Sequence, residues 1–246
     1  MNAVLNIARY EMRRIFLSPL AWAVLAIVQF IIGYVFVNLV GEYRLAESND
    51  TMGVSDYIGG SVYGFATIIL LLVMPLMTMR LFSEERKNGS ITLLFSAPVS
   101  LTEIVLGKFV GLMGFVSAVL LLMALLPASL MFWTHMDWGR VAAGLLGLFL
   151  LMMSFGAAGL FVSSLTREPT IAAVGSFGLL MIVWLLSILA YNDSIPFHDL
   201  INYLSLIGHY ESMRRGLFDS ADALYYVLFS ALFLWATVQR LDMERN

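Results

Sequence analysis

Six long apolar runs constrain this chain more than any other feature. A helix that crosses a bilayer needs about 20 mostly apolar residues. The runs that reach or approach this length cover 20–40, 61–79, 105–133, 141–163, 170–191 and 224–238. Only 13% of the 246 residues are charged, about half of the share that is usual in soluble domains. We therefore predict an all-α polytopic membrane protein with six transmembrane helices, folded as a single integral-membrane domain over 1–246.

The segment before the first run, 2–17, mixes apolar residues with bases. Apolar residues that recur through a basic segment are typical of an amphipathic helix at a membrane interface, and we predict one here. The alternative is an unstructured basic tail that only sets topology. Ser18 and Pro19 then predict the start of the first span, with serine as the N-cap and proline at the first helical position.

The basic residues are distributed unequally between the two sides of the predicted membrane domain. With six spans, both termini share one side with the loops at 80–104 and 164–169. This side carries ten of the fourteen Lys and Arg residues: Arg9, Arg13, Arg14, Arg80, Arg86, Lys87, Lys108, Arg167, Arg240 and Arg245. By the positive-inside rule, we expect both termini in the cytoplasm. The segments of the other side are acidic, so we do not expect nucleic-acid binding.

One charged stretch, Arg80-Leu-Phe-Ser-Glu-Glu-Arg-Lys-Asn-Gly89, lies between the second and third runs. Pro98 and a capping box from Ser100 to Glu103 follow it, so we predict a helix–Gly89–helix element over 80–98 and a helix that opens at the capping box. The positive-inside rule accounts for the bases but not for the paired acids. A short helix that docks onto a soluble partner is therefore favoured over a solvated loop.

The segment 192–223, before the last run, is apolar but interrupted by Pro196, Gly208 and Gly216. It is too broken to span a bilayer. We predict re-entrant or interfacial helices on the outer side, with a plain folded loop as the alternative.

The sequence contains only weak indications of a catalytic or metal-binding site. The central parts of the six runs contain no ionisable residue, which argues against ion-coupled transport. His135, His198 and His209 lack metal-ligand spacing. No GxxxxGK[ST] loop is present, so we do not expect this chain to bind and hydrolyse ATP itself. We predict no catalytic residue, metal site or cofactor on this chain.

Small residues recur at helix-packing spacing, as in the GxxxG of Gly107 and Gly111 and the pair Gly144 and Gly147. Such residues let helix backbones approach closely. Packing inside the six-helix bundle and a homodimer seam are both consistent with this spacing.

The stretch Met79-Arg-Leu-Phe-Ser-Glu-Glu-Arg-Lys-Asn-Gly-Ser-Ile-Thr-Leu-Leu-Phe-Ser-Ala-Pro-Val-Ser100 resembles the signature of ABC-2 type transporter permeases. The stretch His209-Tyr-Glu-Ser-Met-Arg-Arg-Gly-Leu-Phe-Asp219 resembles the loop before the last span of such permeases. Within that family the chain is most similar to the gliding-motility-type permeases, and more distantly to those that accompany nitrous oxide reductase. Ser96-Ala97-Pro98 departs from the pattern, which often has Leu or Thr and then Ser.

The resemblance implies that 80–98 is a coupling helix region contacting a cytoplasmic ABC ATPase subunit. The docking residues that it implies are Arg80, Ser83, Glu84, Glu85, Arg86, Lys87 and Gly89. The outer-loop residues that it singles out are His209, Tyr210, Glu211 and Arg214. ATP and Mg²⁺ would be bound by the ATPase, and a second copy of this chain or a homologous permease would complete the membrane pathway.

The resemblance also implies a bacterial inner membrane, with ATP-driven export or envelope-linked work as the function. The sequence does not identify the substrate, although apolar spans favour a lipid, a lipid-linked or hydrophobic molecule, or a peptide. The complex could instead transmit force to an envelope partner through the outer loop. The alternative outside this family is a non-transporting membrane scaffold or assembly factor of an envelope complex.

Overall fold

The computed structural model describes residues 2–46, 60–96, 98–132, 137–189 and 203–245, and almost all of them are helical. The helices, numbered in chain order, are α1 (Asn2–Leu17), α2 (Pro19–Ala46), α3 (Gly60–Thr78), α4 (Ser83–Lys87), α5 (Ile91–Ser96), α6 (Leu101–Ser129), α7 (Trp138–Leu165), α8 (Pro169–Leu189), α9 (Leu206–Arg214) and α10 (Ser220–Arg245). A short 3₁₀ helix, Leu130–Phe132, follows α6.

Six of these helices, α2, α3, α6, α7, α8 and α10, are long and apolar enough to cross a membrane, which confirms the predicted six spans. Their ends differ from the apolar runs where polar residues continue the helix. α6 begins at Leu101 because the Ser100 side chain accepts a hydrogen bond from the Glu103 N–H while the Glu103 carboxylate accepts one from the Ser100 N–H. The predicted capping box is therefore present, and it starts the third span before its apolar run.

The predicted outer segment 192–223 is described only from residue 203 onward. There it forms α9 and a turn in which Gly216 has a φ of +85°. Residues 192–202, together with His135 and His198, lie outside the described residues.

α7 is the most buried span, and α3, α6, α9 and α10 pack around it. Its glycines make this close packing possible. A Cβ atom on Gly144 would lie 2.6 Å from the ring of Tyr63 in α3, and a Cβ atom on Gly147 would lie 3.0 Å from the ring of Tyr210 in α9. Gly159 is in contact with Thr78 at the end of α3 in the same way. The glycines of α7 therefore admit side chains from neighbouring helices of the same chain.

α1 packs along the first half of α6 on a second row of glycines. A Cβ atom on Gly107 would lie 2.6 Å from the Cβ of Ile7, and one on Gly111 would lie 2.8 Å from the Cβ of Glu11. Gly114 is in contact with Met12. The GxxxG pair thus packs α1, which is not one of the six spans, against α6 of the same chain.

The N-terminal and C-terminal helices meet at one end of the bundle. An ion pair joins Arg14 of α1 to Glu84 of α4, and another joins Arg86 of α4 to Glu244 near the end of α10. We call this end the terminal face. The opposite end, the far face, carries α9, whose Arg214 donates a hydrogen bond to the carbonyl of Gly60 at the start of α3.

Candidate functional site

α4 is fixed to the bundle by a serine of α7. The N–H groups of Phe82 and Ser83 donate to Oγ of Ser163 at 3.1 and 3.2 Å, and that hydroxyl donates to the carbonyl of Met79 at 3.0 Å. The Ser83 hydroxyl also donates to Met79. One hydroxyl group thus provides hydrogen-bond partners for three backbone groups of the turn between α3 and α4, and this ties the start of α4 to the end of α7.

Lys108 of α6 is the centre of a buried ionic cluster on the terminal face. Its ammonium group lies 2.5 Å from the Glu11 carboxylate of α1 and 2.6 Å from the Glu85 carboxylate of α4. The Lys108 and Glu11 side chains are only 1% and 3% exposed, so neither charge has water to solvate it. The ammonium group also lies 5.2 Å from the centre of the Phe82 ring. The charges of this cluster are stabilised by one another rather than by solvent.

Arg14 extends the cluster toward solvent. Its guanidinium lies 2.6 Å from Glu84, 3.5 Å from Glu11 and 3.6 Å from Glu85. Partial burial lowers the pKa of Arg14, but the three carboxylates around it outweigh burial and raise that pKa above its ordinary value. We call Glu11, Arg14, Glu84, Glu85 and Lys108 the ion network. Three acids and two bases join α1, α4 and α6 in it.

The other side of α4 is joined to two further parts of the chain. Arg86, whose side chain is 4% exposed, forms its ion pair with Glu244 of α10. Lys87 lies 2.8 Å from Glu168 in the connection between α7 and α8, and both of these side chains are about half exposed. A helix of five residues thus has ionic links to α1, α6, α10 and the α7–α8 connection.

The predicted docking residues divide into two groups by burial. Ser83 and Arg86 are buried, and Glu85 is largely buried with one carboxylate oxygen that has no hydrogen-bond partner. Arg80, Lys87 and Gly89 are exposed, whereas Glu84 is 37% exposed in its side chain. The structure therefore brings the acids of α4 into contact with bases of this chain, and leaves mainly bases and the Gly89 turn on the surface.

Gly89 separates α4 from α5 with a φ of +71°, a conformation that favours glycine. The exposed turn that it forms borders a cleft of about 300 Å³, lined by residues of α1 and of the α4–α5 segment: Tyr10, Arg14, Glu84, Glu85, Asn88 and Ser90. A second cleft, of about 210 Å³, is also lined by Arg14 and Glu84 and includes Arg80. The Arg14–Glu84 ion pair thus lines two clefts of the terminal face.

On the far face, α9 holds the four predicted outer-loop residues in different surroundings. Tyr210 is buried, and burial raises the pKa of its hydroxyl. Arg214 forms a short ion pair with Glu211 in addition to its bond with Gly60. His209 lies between Asp222 of α10 and the carbonyl of Tyr203. The four residues fix α9 against α3, α7 and α10 rather than converging on one point.

Glu211 accepts hydrogen bonds from both Arg214 and Arg215, at 2.5 and 3.1 Å. Partial burial raises the pKa of Glu211, but the two arginines outweigh it, so that this pKa lies below its ordinary value. The carboxylate therefore stays charged and paired at neutral pH.

The sequence pattern did not indicate the partners of the predicted residues: Glu11, Arg14, Lys108, Ser163, Glu168, Asp222 and Glu244. These partners lie outside the two stretches that carry the predicted residues, and a local motif does not indicate them. Among the residues that the structure describes, no group of three or more His, Asp or Glu side chains has the arrangement of a metal site.

Two comparisons with known proteins bear on the chain. A family model described as ABC-2 family transporter protein matches residues 5–239, which include all five residues of the ion network and the four outer-loop residues. No curated protein matches the chain significantly.

Proposed function

This chain belongs to the ABC-2 family of transporter membrane proteins, the membrane permease subunits of ABC transporters, and we propose that α4 is the element that couples it to its ATPase. The gliding-motility-type likeness stays a prediction, since the family match does not distinguish subtypes. The protein is a multi-pass membrane protein. We further propose that it resides in a bacterial inner membrane with its terminal face in the cytoplasm.

The observation that supports coupling through α4 is the number of spans to which this short helix is attached. Ser163 ties it to α7, Lys108 to α6 and Glu244 to α10. A movement imposed on α4 from the cytoplasm would therefore act on several spans at once. Rigid, packed elements with fixed contacts are the structures that carry such movements between distant sites.

The surface that we propose for docking consists of Arg80, Lys87, Asn88 and the Gly89 turn, with Glu84 at its edge. Arg80 and Lys87 supply two exposed bases to this surface, so its partner should present acidic groups to them. Glu85 and Arg86 take a different role in this proposal, since their side chains hold α4 in place and do not reach a partner. The ATPase would bind ATP and Mg²⁺, and this chain would supply no nucleotide ligand.

We also propose that two permease chains, identical or homologous, form the membrane pathway, with an ATPase subunit docked under each. The work done on the far face is either export of an apolar or amphipathic substrate or force on an envelope partner. The apolar character of the six spans supports the first of these.

The proposal is tested by purifying the tagged chain from its host in mild detergent and measuring the amount of ATPase recovered with it. Arg80→Ala with Lys87→Ala should lower this recovery, because it removes the two exposed bases next to and within α4. The matched control is Arg9→Ala with Arg245→Ala, which removes two exposed bases from other helices of the terminal face. Both variants should unfold at the same temperature as the unmodified chain.

Glu84→Ala with Glu85→Ala should act through the ion network rather than through direct docking. It removes two carboxylates that hold Arg14 and Lys108, so ATPase recovery and stability should fall together.

Equal recovery of the ATPase with the exposed-base variant and its control would contradict the docking surface. Recovery of the unmodified chain without any ATPase would favour the scaffold alternative.

A further inference from the structure

His209 has an oxygen acceptor at each of its two ring nitrogens. Nδ1 lies 2.7 Å from Oδ1 of Asp222, and Nε2 lies 2.9 Å from the backbone carbonyl oxygen of Tyr203. The ring also stacks on Tyr225, with 4.4 Å between ring centres and an angle of 31° between planes. The imidazole is thus held on two edges and one face.

These two contacts determine the protonation state that suits the observed conformation. A neutral imidazole has one N–H donor and one nitrogen lone pair. Either neutral tautomer would place a lone pair against the carboxylate of Asp222 or against the carbonyl of Tyr203. Only the doubly protonated imidazolium donates to both oxygens, and its positive charge is favoured both by the carboxylate and by the face of the Tyr225 ring.

The charged and titratable groups that face His209 support this state. On α10 they are Asp222 and Tyr225, and Asp222 also accepts a hydrogen bond of 2.6 Å from the hydroxyl of Ser212. On the segment before α9, the ring of Tyr203 lies 6.0 Å from the imidazole. On α9 itself, Glu211 is paired with arginines. Among the described residues, Asp222 is thus the one carboxylate that contacts the imidazole.

The segment 203–206, which leads into α9, is held by three side chains, one from α9 and two from α10. His209 holds the carbonyl of Tyr203, the Tyr225 hydroxyl donates to the carbonyl of Leu204 at 2.9 Å, and the Tyr226 hydroxyl donates to that of Leu206 at 2.6 Å. The tyrosine hydroxyls stay protonated at all physiological pH values. Of the three side chains, histidine is the one type whose ordinary titration range lies between about pH 5 and pH 8.

We propose that His209 is a proton-controlled latch on the far face, which ties segment 203–206 to α10 when both ring nitrogens are protonated and releases Tyr203 when one proton is lost. The ligand of this site is the proton of the compartment that bathes the far face. Since the latched state requires the imidazolium, lower pH favours it and higher pH opens it. The latch acts on the far-face end of the bundle and does not depend on where the ATPase docks.

The protonation state is measured directly by NMR of ¹³C-labelled histidine rings in the full-length protein in nanodiscs. Three histidines are present, and loss of one signal set in His209→Asn assigns His209. Asp222→Asn keeps the shape of the side chain but removes its charge, and it should lower the midpoint of the His209 titration. An unchanged midpoint, or a neutral His209 ring below the midpoints of the other two histidines, would overturn the proposal.

The movement is measured by spin labels, since the chain has no cysteine of its own. Leu204→Cys and Leu224→Cys place labels on two exposed positions, one in the latched segment and one on α10. The distance between labels should be narrowly distributed near pH 5.5 and longer or broader near pH 8.5. In the same pair carrying His209→Asn, this pH response should vanish; in Asp222→Asn, which serves if the first variant does not fold, it should move to lower pH. The same response in both backgrounds, or none in either, would refute the latch.

Discussion

Replacing Lys108 with methionine tests the energetic role of the ion network. Methionine retains the length and apolar stem of the side chain but removes the charge that lies 2.5 and 2.6 Å from Glu11 and Glu85. Arg14 remains within 3.6 Å of both acids, yet it is partly exposed and cannot replace the buried ammonium group. Removing one partner of a buried ion pair costs about 3–5 kcal/mol, because the other charge stays buried without compensation. We expect Lys108→Met to reduce the free energy of unfolding by this amount.

Two matched variants separate the effect of burial on stability from the effect of losing an ion pair. Lys87→Met removes an ion pair of similar length, 2.8 Å to Glu168, in which both side chains are about half exposed. Exposed pairs contribute about 0–1 kcal/mol, so this variant should change stability little. A triple variant that replaces Lys108, Glu11 and Glu85 with methionine leaves no buried charge behind, and replacement of a whole buried ion pair by apolar residues is often neutral. It should recover most of the stability lost in Lys108→Met.

Thermal unfolding of the purified variants in one detergent measures these differences. For a chain of this size, about 3 kcal/mol corresponds to a fall of about 6–12 °C in the unfolding temperature. Equal unfolding temperatures for Lys108→Met and Lys87→Met would refute the reasoning, since they would mean that water reaches Lys108 and its partners. A triple variant as unstable as the single variant would show that the hydrogen bonds of the network, rather than its uncompensated charge, determine the loss.

Three other predictions follow from the remaining contacts. Gly111→Leu should strongly reduce folded protein because the new side chain collides with α1, whereas Gly178→Leu, which has nothing within 4 Å of its Cβ position, should be tolerated; size-exclusion chromatography compares them. Arg86→Glu should abolish the stimulation of ATP hydrolysis that this chain exerts on its ATPase. Adding Glu244→Arg should restore part of that stimulation, because the swap rebuilds the ion pair in reverse. The lowered pKa of Glu211 adds stability at pH values above the unfolded-state pKa, and that stability is lost as the pH falls through the folded-state pKa. The unfolding temperature of Glu211→Gln should therefore depend less on pH below about 5 than that of the unmodified chain.

The sequence predicted the spans well because hydropathy is a local property and a membrane-crossing helix must be apolar along most of its length. The start of α6 at the capping box was predictable for the same reason, since Ser100 and Glu103 are three residues apart. The ends of α10 were not, because helix formation continues through polar residues beyond the apolar run 224–238. Hydropathy thus locates the core of a span and not its ends.

The surroundings of the candidate site could be predicted only in part. The sequence indicated that Glu84 and Glu85 needed an explanation beyond topology, and the structure supplies one in Arg14 and Lys108. These contacts join residues 70 and 23 positions apart. Such pairings depend on how the helices pack, and the local pattern around Glu84 and Glu85 does not identify the partners.

A physical signal for Lys108 was nevertheless present beside it. Gly107 and Gly111 allow another helix to approach the backbone of α6 closely, and Lys108, which lies beside them on the same side of α6, is covered by the helix that approaches. A lysine in that position loses its water, so the covering helix must supply an acid. Among residues 2–17, the one acid is Glu11, and the positive-inside rule gives no reason for an acid in a basic segment. The pairing can therefore be predicted from both sides, because the lysine beside packing glycines needs an acid and the one acid of the amphipathic helix needs a base. The α1–α6 contact has this arrangement.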